Sequence, residues 1–179
     1  MVERLIKKDK WEWIWWLDFD TLITNTEIKV TDIIDETLRN ATNPDDIDVL
    51  VTHDCNALNL GSFMFRSNQR SIDFIQGIYA VEERAKQAGE HLSEQDSMTR
   101  YIKEDSAAAD RILKIPQWKL NAFPEEIPCY EEPKRPWEHG YFLVHFAGAW
   151  AHVKGDDPTG QLMRKYKDKV IWGDWKQFY

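Results

Sequence analysis

The spacing of hydrophobic and polar positions changes several times along the chain, and each change marks an element. Residues 11–17 (WEWIWWL) are aromatic and β-favouring and predict a strand largely buried on both faces. That strand runs into Asp18-Phe19-Asp20. Residues 32–40 predict a short helix, and residues 47–53 (IDVLVTH) and 58–66 (LNLGSFMFR) predict two more strands. Residues 67–88 carry the clearest helical pattern, with Ile72, Ile75, Tyr79 and Ala80 on an apolar face and Gly89 suited to the C′ position. A second helix is predicted over 93–102, opened by Ser93-Glu94-Gln95-Asp96, which has the form of a capping box. Residues 111–115 predict a short strand, and 116–136, rich in Pro and Glu, read as loop. Residues 141–146 (YFLVHF) predict a strand that ends in a Gly-bearing turn, and Pro158-Thr159 opens a last helix to about residue 167. Strands mixed with helices, without internal repeats, place the chain in the α/β class.

Composition narrows this. The 179 residues fit one domain, 1–179, and at 42% hydrophobic and 30% charged they read as globular. The net charge of −8 and the lack of a basic stripe argue against nucleic acid as a partner. Nine Trp residues fill core for the most part, and one or two exposed rings can stack on sugars, whose pyranose faces are apolar. Cys55 and Cys129 give no disulfide framework, and whether they pair depends on a proximity that sequence does not reveal. No apolar run approaches the ~20 residues of a membrane span. Residues 1–10 are basic but lack the apolar stretch of a signal peptide. Asn40-Ala41-Thr42 has the form of a glycosylation acceptor, a triplet common by chance.

Asp18 and Asp20 are the sharpest chemical signal. If the strand continues, alternation puts both carboxylates on one face, and two hard oxygen ligands suit Mn²⁺ or Mg²⁺. Asp-x-Asp also arises by chance in a chain with 31 acidic residues. His145 sits near the end of an apolar strand; it reads either as a satisfied core histidine or as the imidazole that completes a cation site. Asn59-Leu60-Gly61-Ser62 is a strand interrupted by Gly, which marks either a β-bulge or the close approach of a ligand or another backbone. Glu94, Gln95 and Asp96 occupy a first helical turn, where they offset the helix dipole or face a reacting sugar carbon. Lys154 is a solvated loop lysine or a point charge for phosphate. His53, His139 and His152 have no evident partner in the sequence.

The segments WIWWLDFDTLITN, DCNALNLGSFMFRS, SEQDSM and GYFLVHFAGAW, in this order, resemble the fungal Golgi galactosyl- and mannosyltransferase family that also includes plant xyloglucan xylosyltransferases. The resemblance spans about residues 11–166. It implies a GT-A (Rossmann-like) fold and retaining transfer of a hexose from a nucleotide-diphosphate sugar to an oligosaccharide or glycoprotein hydroxyl. UDP-galactose is the first expectation for the donor and GDP-mannose the second. It implies Mn²⁺ or Mg²⁺ bound by Asp18, Asp20 and His145, with Asp18 also free to touch the donor. Asn59, Gly61, Ser62 and Gly148 are implied to line the substrate groove. Glu94, Gln95 and Asp96 are implied to face the reacting carbon, Asp96 foremost, with Glu94 gripping sugar hydroxyls. Family members sit in the Golgi membrane and act on its lumenal side.

Three positions depart from the family pattern. Ala149 stands where the family has Cys, and Trp150 where the xylosyltransferases have a Lys that touches the diphosphate, a role Lys154 is the nearest candidate to fill. The metal motif also arrives at residue 18, whereas a nucleotide-binding βαβ unit takes about 30 residues or more. The expectation is therefore a GT-A domain lacking much of its N-terminal nucleotide-binding half and its membrane anchor, with weak donor binding and little turnover. Retention follows either from attack on the leaving group's own side, a diphosphate oxygen taking the proton, or from a covalent intermediate on Asp96. A non-catalytic subunit of a Golgi transferase complex is the alternative role, and a metal-dependent phosphohydrolase a third.

Overall fold

The computed structural model describes residues 1–174. In chain order its elements are α1 (Val2–Ile6), β1 (Trp13–Leu17), β2 (Thr21–Ile23), α2 (Val30–Leu38), β3 (Val49–Asp54), β4 (Ala57–Arg66), α3 (Gln69–Gln87), α4 (Glu94–Glu104), α5 (Ser106–Ala109), β5 (Ile112–Lys114), α6 (Gln117–Leu120), β6 (Leu143–His145), α7 (Ala149–His152) and α8 (Pro158–Lys167). The order β1-β4-β3-β5 builds a mixed sheet, antiparallel except for the β3–β5 pair, and β2 with β6 forms a separate antiparallel ribbon. The α/β expectation holds.

Helices cover the sheet on both sides, which explains the unbroken apolar run in β3. Val49 and Val51 point to a core shared with Phe65, Ile72, Phe74 and Met98, under α3 and α4. Leu50, between them, points the other way with Met64, against Ile33, Ile34, Leu120 and Leu143. A third core holds Phe123, Val144, Phe146, Leu162 and Tyr166, and seats the ribbon against α8.

Two sequence expectations need correction. β1 is an edge strand rather than one buried on both faces: it pairs with β4 alone, only Ile14 is buried, and Trp16 remains 37% exposed. On α3, Ile72 and Ile75 are buried as expected, but Tyr79 and Ala80 are exposed, and Phe74, Val81 and Ala85 complete the buried face in their place. The residue pairing also shifts along the β3–β4 hairpin. Leu50 opposes Met64 and Thr52 opposes Asn59, so β4 fits residues 60–63 opposite Val51 alone, and Gly61 lies in this irregular stretch.

Cys55 and Cys129 are joined in a disulfide, with Cα atoms 4.8 Å apart. The hairpin tip between β3 and β4 carries Cys55 to the loop before β6, a meeting of segments 74 residues apart that composition gives no means to see. Elsewhere, Asp48 is fully buried. It accepts hydrogen bonds from Asn68 Nδ2 (2.6 Å), Arg70 Nε and Nη2 (both 2.8 Å) and Arg111 Nη1 (2.9 Å), which ties β3 to α3 and β5. Burial alone would raise its pKa, but these partners outweigh it and hold the carboxyl below its ordinary value of 3.8.

Two outcomes are expected. Replacing Cys129 with Ser removes a cross-link that closes a long loop and should lower stability by about 2–4 kcal/mol, read from urea midpoints with and without reductant. Because the folded-state pKa of Asp48 is depressed, its stabilisation is complete above the unfolded-state value near 3.8 and is lost as pH falls through the lower folded value. Asp48→Asn should therefore cost about 2 kcal/mol near neutral pH, allowing for the part-exposed arginines. It should also flatten the acid limb of a stability-versus-pH curve measured by denaturant titration.

Candidate active site

The ribbon brings together residues far apart in sequence. In the β2–β6 pairing Thr21 opposes His145 and Ile23 opposes Leu143. The ladder extends one step further, where Phe146 N–H donates to Asp20 O at 2.9 Å. Asp20 and His145 thus meet across 125 residues through backbone pairing alone.

Asp18 reaches the same place by a turn and not by strand alternation. β1 stops at Leu17, and residues 18–20 turn sharply, with Phe19 92% exposed at the tip. Three hydrogen bonds fix the turn: Asp18 N–H to Gly61 O (2.8 Å), Thr21 Oγ1 to Asp18 O (2.6 Å) and Trp16 Nε1 to Asp18 Oδ1 (2.8 Å). The two carboxylates still converge. One oxygen from each and an imidazole nitrogen of His145 all lie within 4.8 Å of one another.

His145 is 2% exposed. Its Nε2 lies 3.1 Å from Asp20 Oδ1, its Nδ1 lies 2.7 Å from Asn121 Oδ1, and its ring meets Phe123 edge to face. When the imidazole carries a proton on Nε2, its hydrogen bond and charge hold the Asp20 carboxyl below the ordinary carboxylate range, against the opposing effect of burial. Gly61 is what admits the ring. A Cβ there would fall 2.1 Å from His145 Cε1 and 2.6 Å from Nδ1. The close approach expected of this glycine is made by an imidazole, at the irregular stretch of β4.

These donors fit a hard divalent cation. In octahedral coordination with bonds of about 2.1 Å, adjacent ligands stand about 3.0 Å apart, and the Asp20–His145 spacing is 3.1 Å. Two carboxylates and one imidazole suit Mn²⁺ or Mg²⁺ better than a thiophilic metal, and the two cysteines are engaged in their disulfide.

Above these residues opens a cleft of about 680 Å³. Its floor includes Asp18, Asp20, Asn59, Gly61, His145 and Gly148, and its walls include Glu94 and Gln95, so eight sequence candidates converge on it. Gln95 Oε1 accepts from Leu60 N–H at 3.1 Å, which holds the start of α4 against β4. Among the described residues the lining holds five carboxylates (Glu3, Asp18, Asp20, Glu82, Glu94) and no Lys or Arg.

Three candidates are placed elsewhere. Asp96 is exposed, and its Oδ2 accepts from Ser93 N–H (3.3 Å) and Oγ–H (2.7 Å), completing the capping box of α4 outside the cleft lining. Those bonds also lower its pKa. Ser62 is buried behind the cleft, where its Oγ accepts from Trp15 Nε1 at 3.0 Å. Lys154 is exposed in the turn after α7 and does not reach the cleft lining. Sequence reasoning missed Asn121 and Trp16. Asn121 lies in a stretch without periodicity, and Trp16 reads as one more core aromatic.

The sequence profile of the galactosyl transferase GMA12/MNN10 family matches residues 34–155, more than half of the chain. The chain belongs to that family. The matched span contains Asn59, Gly61, the start of α4 and His145; Asp18 and Asp20 precede it. The chain is similar to the probable alpha-1,2-galactosyltransferase gmh1 of Schizosaccharomyces pombe, 30% identical over 187 aligned residues covering 89% of this chain and 54% of that protein. It is also similar to gmh2 of the same yeast, a probable alpha-1,2-galactosyltransferase, at 29% identity over 88% of this chain and 52% of the relative. The probable alpha-1,6-mannosyltransferase MNN10 of Saccharomyces cerevisiae is 29% identical over 63% of this chain and 34% of its own length. The chain spans about half the length of the first two relatives. Among the described residues no helix is long and apolar enough to cross a membrane.

Gly61 provides a test of the site's construction. Gly61→Ala should displace the His145 ring, cost about 1–3 kcal/mol in thermal or denaturant unfolding, and shift the His145 imidazole resonances while the α8 amide resonances stay in place.

Proposed function

We propose that the chain carries the cation- and sugar-binding part of a retaining glycosyltransferase of the GT-A type, which moves a hexose from a nucleotide-diphosphate donor to a hydroxyl of an oligosaccharide or glycoprotein. The observation that carries this reading is the convergence of Asp18, Asp20 and His145 on the floor of a cleft whose lining supplies carboxylates and no Lys or Arg among the described residues. The carboxylates of such a cleft repel a diphosphate, and a divalent cation between them would reverse that. Asp20 and His145 would hold that cation, Mn²⁺ or Mg²⁺, with Asp18 as a third ligand or a donor contact. When bound, it supplies charge stabilisation to the departing diphosphate.

The chain's own residues do the rest. The hydrogen bonds from Trp16 and Thr21 hold the Asp18–Asp20 turn rigid, so the carboxylates need little reorganisation on binding. Glu94 and Gln95 project from the wall as acceptors and donors for sugar hydroxyls. Asp96 is committed to its cap, which favours attack of the acceptor hydroxyl on the leaving group's own face over a covalent intermediate on that carboxylate. In that step the acceptor C–O bond forms as the anomeric C–O bond to phosphate breaks, and a diphosphate oxygen takes the hydroxyl proton.

Galactose from a uridine donor is the first choice of sugar, because gmh1 and gmh2 are named as galactosyltransferases; mannose is the second, after MNN10. The disulfide supports an oxidising compartment of the secretory pathway, and we assign the Golgi lumen.

Calorimetry decides between enzyme and non-catalytic subunit. Mn²⁺ should bind, and UDP should bind more tightly with Mn²⁺ present than without. Asp20→Asn should weaken Mn²⁺ binding by 10-fold or more, on the order of 1.4 kcal/mol or above. Equal UDP affinity with and without Mn²⁺ in the wild-type chain would sink the metal-assisted reading and leave the role of subunit in a transferase complex.

A further inference from the structure

His145 has two ring nitrogens, and only one faces Asp20. Which of them carries a hydrogen in the neutral ring is decided by hydrogen-bond partners reaching back to an unambiguous donor. That donor is the backbone N–H of Gly61, which donates to Asn59 Oδ1 at 2.9 Å. This fixes the Asn59 amide, whose Nδ2 donates to Asp54 Oδ2 at 2.8 Å, a carboxylate that only accepts. Asn59 Oδ1 also receives Asn121 Nδ2 at 2.8 Å, and the same Nδ2 donates to Thr52 Oγ1 at 2.8 Å. The Asn121 amide is thereby oriented as well, leaving Oδ1 as the group that meets His145 Nδ1 at 2.7 Å. An amide oxygen accepts and never donates, so Nδ1 carries hydrogen. Flipping Asn121 would set its oxygen against Asn59 Oδ1, two acceptors with no hydrogen between them, and would break that contact and the one to Thr52.

We infer that Asn121 is a positioning residue that locks His145 in the Nδ1–H tautomer and presents the Nε2 lone pair to the cation site. The consequence for cation binding rests on the metal reading above; the tautomer does not. Asn121 is fully buried, so water does not replace its amide. Its backbone is held too: Asn121 N–H donates to Gln117 O at 2.7 Å, and the next carbonyl, Ala122 O, accepts from His145 N–H at 2.8 Å. In the neutral ring with Nδ1–H fixed, Nε2 and Asp20 Oδ1 are two acceptors 3.1 Å apart, an arrangement completed by a cation between them or by a second proton on the imidazole. Without Asn121 the ring is free to take the Nε2–H form, which donates to Asp20 and closes the pair as an ordinary hydrogen bond. A partner behind a ligating histidine is worth roughly 10–100-fold in metal affinity.

The test uses two variants and two readouts. In the metal-free wild-type chain, long-range ¹H–¹⁵N spectra at a pH where the ring is neutral should show His145 Nδ1 protonated and Nε2 bare. Asn121→Leu should give a mixed or inverted tautomer and weaken Mn²⁺ binding by about 10–100-fold in calorimetry. Asn121→Asp keeps an acceptor for Nδ1–H but loses the donor to Asn59. It should lose stability yet keep the tautomer and bind Mn²⁺ more tightly than Asn121→Leu does. Wild-type protein with Nε2–H as the main form overturns the assignment, as does Asn121→Leu with tautomer and affinity unchanged, or Asn121→Asp whose tautomer is lost along with its stability. Wild-type protein with the expected tautomer and no affinity for Mn²⁺ would sink the metal reading and uphold the tautomer lock. Should Asn121→Leu fail to fold, the wild-type spectrum and Asn121→Asp decide.

Discussion

The close packing of the His145 ring on the Gly61 backbone constrains every other feature of the cleft floor. No methyl group fits between them. The same glycine donates its N–H to Asn59 and accepts from Asp18 N–H, so one peptide segment touches all three parts of the site: the Asp18–Asp20 turn, the imidazole and the amides behind it. The irregular stretch of β4 makes room for this. A regular strand would carry β4 past β3 one residue for one, whereas residues 60–63 spread opposite a single β3 residue, and peptide groups there bond to Asp18, Asn59 and Gln95 instead. Close packing leaves little slack for such a contact, and a shift of the ring would be felt at Asp20 directly.

Charge acts on the same site from the other direction. Acidic residues gathered in a cleft repel one another and raise the cost of keeping all of them ionised. Asp20 escapes this when His145 is protonated, since the imidazolium donates to it and holds its pKa down despite burial. Asp48, buried beneath α3, is handled differently, with two arginines and an amide saturating it inside the structure. The contrast is informative. Asp48 is satisfied by its own chain and serves the fold. Asp18 and Asp20 are held rigidly yet keep oxygen atoms directed into open space, which suits a group that binds something from outside.

Much of this is legible in the sequence where the signal is local. The last helix can be read there, because Pro158 and the apolar spacing mark its start and its face. The capping box at Ser93 is readable because its two partners are three residues apart. Asp18, Asp20 and His145 are readable as ligand types, but only the family resemblance brings them together, since no local pattern shows the pairing of β2 with β6 or the turn in place of strand alternation. The edge position of β1 is hidden for a similar reason: an aromatic run reports apolarity, not the number of neighbouring strands. Asn121 leaves no trace at all. Its role is set by partners from β3, β4 and β6, all distant in sequence, while its own neighbourhood reads as loop. The capping signal also misleads in one respect, because the bond that makes Asp96 a good cap residue turns its carboxylate back on its own helix.

The disulfide belongs to this network as well as to overall stability. Cys55 follows Asp54 at the hairpin tip, and Cys129 ties that tip to the loop between α6 and β6. Asp54 accepts from Asn59, which accepts from Asn121, which accepts from His145, which faces Asp20. A single line of polar contacts therefore runs from a covalently anchored surface loop to the floor of the cleft. Hydrogen bonds in such a line reinforce one another in a low-dielectric interior and are costly to leave half made. Backbone pairing fixes the position of the cleft-floor end, through β2 and β6, while the cross-link confines the outer end. The amides between them have only one arrangement that satisfies every donor, and that arrangement turns the bare nitrogen of His145 toward the cleft.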